Sequence, residues 1–149
     1  MTLRPYRSVL YIPGSRARAL EKARSMPVDS IIFDLEDAVA FEEKASARVT
    51  LVAHLSEGGY GVRSQVIRIN GLDTPWVAED IAAIAEARPE AVLLPKVDNA
   101  QMILQLSAAM ERYDGFENTQ IWAMMETPRG ILNAAEIADA PRMGGMVMG

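Results

Sequence analysis

Arg68 is the residue whose position most needs a chemical reason. It sits between Ile67 and Ile69 in the apolar run 65–69, where a guanidinium is costly to bury unless it is paired or aimed at an anion. A fixed guanidinium there can hold a carboxylate or a developing enolate oxygen, or it can close an internal salt bridge; the two uses are compatible. Glu126 ends a second run, 121–125, so an apolar strand delivers a carboxylate to its C-terminal end. A hard divalent cation such as magnesium takes oxygen ligands, keeps several waters and needs only one or two carboxylates. Glu126 suits that role, and also suits a helix N-terminal acid favoured by the dipole. The cluster Asp34, Glu36 and Asp37 follows the run 30–33 and could supply a second carboxylate; otherwise that ligand lies beyond Gly149.

Other candidates are weaker. Gly14, Ser15 and Arg16 open a helical segment with Lys22 near its far end. Helix N-terminal amides beside an arginine can receive a phosphate, although ordinary capping explains the same residues. Lys96 after Pro95 is either a rim ligand or a surface charge, and a Schiff-base role would need a depressed pKa that no neighbour suggests. His54 lies in a helical pattern and reads as a packing residue. The methionines at 124–125 and 143–148 read as core filling.

These residues need elements to position them. Six apolar runs, at 8–12, 30–33, 65–69, 91–94, 121–125 and 145–148, alternate with segments 16–25, 41–55, 76–87, 100–113 and 131–138 that carry helical spacing. Most runs are continuous rather than alternating, as in parallel strands buried on both faces. The class is α/β with a parallel sheet. An open doubly wound sheet could fit the length, whereas a (β/α)8 barrel needs roughly 250 residues. The glycine-flanked final run favours a barrel interrupted after about six β/α units. Charged or glycine-rich residues follow five successive runs, and strand C-termini converge on one rim in either architecture.

The chain has 149 residues, half of them hydrophobic, no cysteine and a formal net charge of −5. That is one domain's worth of core, 1–149, with no linker. The acidic balance argues against nucleic acid or an anionic membrane as partner, and disulfides, thiolate metal sites and a cysteine nucleophile are excluded. No leader is evident in residues 1–12, and the apolar runs fall far short of a membrane span. A soluble cytoplasmic protein is expected.

The ordered motifs Arg7-Ser8-Val9-Leu10-Tyr11-Ile12-Pro13-Gly14-Ser15, Phe33-Asp34-Leu35-Glu36-Asp37-Ala38-Val39, Arg68-Ile69-Asn70-Gly71, Leu94-Pro95-Lys96 and Met125-Glu126-Thr127 resemble the citrate lyase β-subunit-like group of HpcH/HpaI aldolases, as does Lys44 with Arg48. Within that group the segments around 122–126, 132–137 and 145–149 look most like the malyl-CoA lyase and (3S)-malyl-CoA thioesterase branch. The resemblance implies a barrel homo-oligomer, trimer or hexamer, that binds Mg2+ and a CoA thioester. It implies that Glu126 is the first metal ligand and touches substrate, that Arg68 lies beside the thioester and carboxylate oxygens, and that Tyr11, Arg16 and Lys22 line the CoA and substrate site. Asp34, Glu36 and Asp37 would form a supporting acidic rim. The family's second metal ligand (an Asp), its catalytic acid/base and its C-terminal lid would lie outside these residues, so 149 residues alone are expected to be inactive. The implied reaction is cleavage of a malyl-CoA-type 3-hydroxyacyl-CoA to acetyl-CoA and glyoxylate. A thioesterase on the same site and a class II aldolase acting on free hydroxy-keto acids are the alternatives, and a non-catalytic assembly module is a third reading.

Overall fold

The computed structural model describes residues 5–149, so the first residues of the leader reading, 1–4, lie outside the described part. Six strands and six α-helices alternate: β1 (Val9–Pro13), α1 (Ala17–Ala23), β2 (Ser30–Asp34), a 3-10 turn (Phe41–Glu43), α2 (Lys44–Glu57), β3 (Ser64–Arg68), α3 (Val77–Ala85), β4 (Ala91–Leu94), α4 (Ala100–Met110), β5 (Gln120–Met125), α5 (Pro128–Leu132), α6 (Ala134–Ala138) and β6 (Met143–Met148). The strands pair in parallel and in sequence order, β1 through β6. A doubly wound sheet reverses its order at a switch point; this one never does. The architecture is that of a TIM-type barrel, in six β/α units.

The sheet is curled. In a flat sheet β1 and β5 would lie about 19 Å apart, four spacings of about 4.8 Å. Yet the Tyr11 hydroxyl on β1 meets Met124 Sδ on β5 at 3.7 Å, and Tyr6 stands edge-on to Trp122 with ring centroids 5.0 Å apart. Side chains alternate across each strand and so build two cores. Ile31, Phe33, Ile67, Val92, Ile121, Ala123 and Met125 face outward, among the larger cluster formed with the helices. Ile32, Val66, Ala91, Leu93, Trp122 and Met124 face inward, with Val147 against them. Trp122 fits because its β6 register partner is Gly145, where a Cβ would stand 3.0 Å from the indole.

Two expectations are corrected. The methionines of β6 do not all fill the core: Met146 and Met148 are exposed, Met148 at 71%. They share the outward face with Ala123 and Met125, their register partners. The segment 131–138 is also not one helix. Asn133 leaves helical geometry between α5 and α6, and its side-chain amide donates to the Asp98 carbonyl at 2.8 Å. No helix of the described residues is long and apolar enough to cross a membrane.

Candidate active site

The two-residue period of β2 and β3 carries the inward face from Ile32 to Asp34 and from Val66 to Arg68. Parallel register then sets Asp34 opposite Arg68. The carboxylate receives the guanidinium in a fork, Nε to Oδ1 at 2.8 Å and Nη2 to Oδ2 at 2.5 Å, the two-point geometry that makes arginine pairs strong. Arg68 Nη1 also reaches Glu36 Oε2 at 3.3 Å. Burial opposes the Arg68 charge, but Asp34's hydrogen bond and charge, with Glu36, outweigh it and hold the pKa above the ordinary arginine value. The internal salt bridge weighed from sequence is therefore present. Two of the five N–H groups of Arg68 are hydrogen-bonded, both to Asp34, and Nη1 lies within ion-pair distance of Glu36.

Asp34 is not a loop acid at the rim. It belongs to β2 and is 1% exposed. Besides Arg68 it accepts the amides of Glu36 at 2.8 Å and Ala38 at 2.9 Å, so both oxygens are committed. Glu36 is committed as well, to Arg68, to the Asp37 amide at 3.1 Å and to the Lys96 ammonium. The suggestion that this cluster supplies a second metal carboxylate is thus corrected for Asp34, whose acceptor positions all serve Arg68 and the loop amides. Asp37 is exposed, with Lys96 Nζ 3.8 Å away.

Glu126 follows β5 directly. Thr127, not Glu126, is the N-cap of α5, accepting from Gly130 N at 2.9 Å, and Glu126 lies one residue before it. Its Oε1 instead accepts the main-chain N–H of Lys96 at 2.8 Å. Its Oε2 accepts no hydrogen bond among the described residues and lies against Gly149, where a Cβ would stand 2.6 Å from Glu126 Cβ and 3.1 Å from Oε2.

Tyr11 joins these groups. Arg68 stacks over its ring at 5.3 Å. Burial raises its hydroxyl pKa, and the charges of Arg68, Asp34 and Glu126 all act on it. Glu36 pairs with both Arg68 and the Lys96 ammonium, and the Lys96 amide donates to Glu126, so these groups are linked in series at the C-terminal mouth of the strands. The hydrogen bond to Glu36 holds the Lys96 ammonium above the usual lysine value, the opposite of what a Schiff-base lysine needs. Arg16 caps α1 without a side-chain hydrogen bond to it, and both Arg16 and Lys22 are exposed. They lie about 9 Å apart along the helix.

Sequence reasoning missed the scaffold beneath the acidic loop. Lys44 is buried and donates to the carbonyls of Leu35 at 2.9 Å and Glu36 at 2.6 Å, under the Trp76 ring; burial lowers its pKa. Asn70 donates to the Leu35 carbonyl at 3.0 Å and to Asp80, which pairs with Arg48 at 3.0 Å. The Lys-x3-Arg spacing was the available signal, since positions four apart share a helix face. His54 is half-buried on α2. Near it Glu21 and Glu57 gather as ligand-type side chains, but Arg24 pairs with both at 2.8 Å.

A divalent cation suits the mouth by its donor set. Four carboxylates, Asp34, Glu36, Asp37 and Glu126, meet the cations Arg68, Lys96 and Lys44, so anions are in excess. Glu126 offers an uncommitted oxygen. One such ligand, completed by waters and substrate oxygens, is how magnesium is commonly held.

A parallel sheet in sequence order, with an arginine and several carboxylates at the C-terminal ends of its strands, defines an α/β-barrel protein. Residues 7–149 match the family of HpcH/HpaI aldolases and citrate lyases, and the chain belongs to that family. A relative in Cereibacter sphaeroides, named (3S)-malyl-CoA thioesterase, is 52% identical over 145 residues, covering 97% of this chain and 49% of the relative. Two solved structures from Mycobacterium tuberculosis are also similar. A citrate lyase β subunit with oxaloacetate and magnesium superposes with a TM-score of 0.77 at 33% identity, over 95% of this chain and 56% of that one. A protein CitE with magnesium, acetoacetate and coenzyme A gives 0.75 at 32%, over 95% and 47%. The chain spans about half the length of the curated relatives it matches.

Proposed function

We propose that these six units, 1–149, are the N-terminal portion of a (β/α)8 barrel enzyme that acts on the CoA thioester of a short hydroxy acid, with malyl-CoA as the type substrate. The observation that supports this reading is the series of contacts from Arg68 through Glu36 and Lys96 to Glu126 at the strand C-termini, with Arg68 over the Tyr11 ring. Kinship with a malyl-CoA thioesterase and likeness to a structure holding magnesium and coenzyme A support the substrate class and the metal.

Glu126 would hold the cation through Oε2. Magnesium, when bound there, supplies Lewis-acid polarisation of the substrate's oxygens. In the lyase reading a base outside these residues takes the proton of the substrate hydroxyl, whose oxygen becomes the aldehyde oxygen of glyoxylate, and a proton returned to the enolate carbon gives acetyl-CoA. The electron pair of the broken C–C bond passes to the thioester as an enolate. The N–H groups of Arg68 not bonded to Asp34 would meet the enolate oxygen, with Asp34 and Glu36 keeping the guanidinium oriented before charge develops. Tyr11 walls the same space, and Arg16 and Lys22 are the basic groups available to the CoA phosphates. The enzyme would work as a cytoplasmic homo-oligomer, a trimer or hexamer, whose remaining strands and lid complete the site.

A second reading, hydrolysis of the thioester, is favoured by the 52% identity to a protein named as a thioesterase. Water would then add to the thioester carbonyl and Arg68 would meet that oxyanion. Products separate the two. Full-length protein given malyl-CoA and magnesium should release acetyl-CoA and glyoxylate if a lyase, or free CoA and malate if a thioesterase. Turnover of neither kind, with turnover of free hydroxy-keto acids instead, would move the chain to the pyruvate-aldolase arm.

A further inference from the structure

Lys96 is the residue whose geometry the proposed chemistry leaves unexplained. It is a non-glycine residue at φ +53°, a left-handed conformation that crowds the Cβ of an L-residue against its own carbonyl. Its surroundings hold it there. The next amide, Val97 N, donates to the Met124 carbonyl at 3.4 Å. The Val97 carbonyl lies where a Cβ on Gly130 would be 2.1 Å away, and Thr127 donates to Asp98 at 2.6 Å. Strain that neighbours over-determine in this way concentrates at functional sites.

The conformation sends the two ends of one residue to two carboxylates from different strands. The main-chain N–H goes to Glu126 Oε1 at 2.8 Å. The ammonium goes to Glu36 Oε1, with Asp37 beyond it. Glu36 uses its other oxygen on Arg68. Its charge is thus divided between a lysine at the opening, 58% exposed in its side chain, and the buried arginine.

We propose that Lys96 is a positioning residue with two separable actions: its left-handed amide fixes the Glu126 carboxylate so that Oε2 faces the mouth, and its ammonium draws Glu36 off Arg68, leaving the guanidinium available to an incoming anion. This rests on the reading of Arg68 and Glu126 given above. Removing only the side chain should leave the first action whole. Glycine adopts positive φ without cost and keeps the N–H, so Lys96→Gly is the variant that separates the two.

The test combines NMR of the full-length protein, labelled at backbone amides and glutamate carboxyls, with steady-state kinetics on malyl-CoA. In Lys96→Gly the Glu36 carboxyl signal should move while the Glu126 carboxyl and the downfield amide at position 96 stay in place; Glu126→Gln should shift that amide upfield. Lys96→Met should raise KM about tenfold with kcat changed less than about threefold, because Glu36 then bears fully on Arg68. Lys96→Arg should restore KM, and adding Glu36→Gln to Lys96→Met should recover most of it. A Glu126 signal that moves with Lys96→Gly, or a Glu36 signal that does not, overturns the proposal. So does a KM indifferent to Lys96→Met. Should malyl-CoA not be turned over by the wild type, the substrate reading fails while the NMR shifts still decide the clamp. Mn2+ affinity, read by paramagnetic resonance, should fall at least about tenfold in Glu126→Gln and stay within about threefold in Lys96→Gly.

Discussion

Asp34 and Arg68 are register partners on adjacent parallel strands and meet inside the barrel through two hydrogen bonds, at 2.8 and 2.5 Å. Each is almost fully buried, so neither charge tolerates loss of the other. Asp34→Ala should cost about 3–5 kcal/mol, the usual penalty for stranding one member of a buried pair. Urea unfolding measures it. Asp34→Leu combined with Arg68→Met should cost much less, because no charge is left unpaired; equal losses would mean that the pair is not the source.

Arg68→Lys tests geometry against charge. An ammonium keeps the sign but loses the fork to Asp34. Turnover of malyl-CoA should fall by orders of magnitude while the circular dichroism spectrum stays that of the wild type. A mild effect would confine Arg68 to its salt bridge.

Glu126→Gln should abolish magnesium-dependent turnover with little change in stability, since the residue is half-exposed and its Lys96 bond can be kept by an amide oxygen. Near-normal activity would remove Glu126 from the metal.

Gly130→Ala places a methyl 2.1 Å from the Val97 carbonyl, a backbone atom that cannot step aside cheaply. A cost of about 1–3 kcal/mol follows, which lowers Tm by several degrees in a chain of this size. Because the displaced segment carries Lys96, Mn2+ affinity should weaken too. Differential scanning calorimetry and metal titration check both.

Arg7 hydrogen-bonds Asp29 and lowers its carboxyl pKa to about 2, against about 3.9 in an unfolded chain. The unfolded state therefore binds more protons across that interval. The contribution is complete above about pH 4 and is lost as pH falls toward 2. Asp29→Asn should flatten the acid limb of the stability profile there and leave neutral turnover unchanged. An unaltered acid limb would show that Arg7 does not hold the carboxylate.

The strands were legible because most are short continuous apolar runs; β4 has the expected bounds, and no end of the others differs by more than two residues. Asp34 was misplaced for a physical reason. A carboxylate at the end of an apolar run looks like a loop acid until its partner, thirty-four positions away, is known. Hydrophobic pattern says which faces are buried but not which strand lies beside which, so the sequential order was legible only through the preference for a barrel. Arg68 and Glu126 stood out because each follows apolar residues. Lys96 did not, because half of what it does belongs to its main chain, on which side-chain type is silent. The Asn70–Asp80–Arg48 network joins β3, α3 and α2, and no local spacing announces it.

The chain has two tryptophans, and the fold gives them different optical jobs. Trp122 is enclosed between Tyr6 and the bare backbone of Gly145, so its emission should be blue-shifted and should redden when the barrel interior opens. Trp76 stacks on exposed Phe41, 5.2 Å between centroids, above the Lys44 ammonium. Its fluorescence should respond first to rearrangement of the acidic loop. Intrinsic fluorescence can thereby tell a change at the entrance from a loosening of the interior, in one sample and without a label.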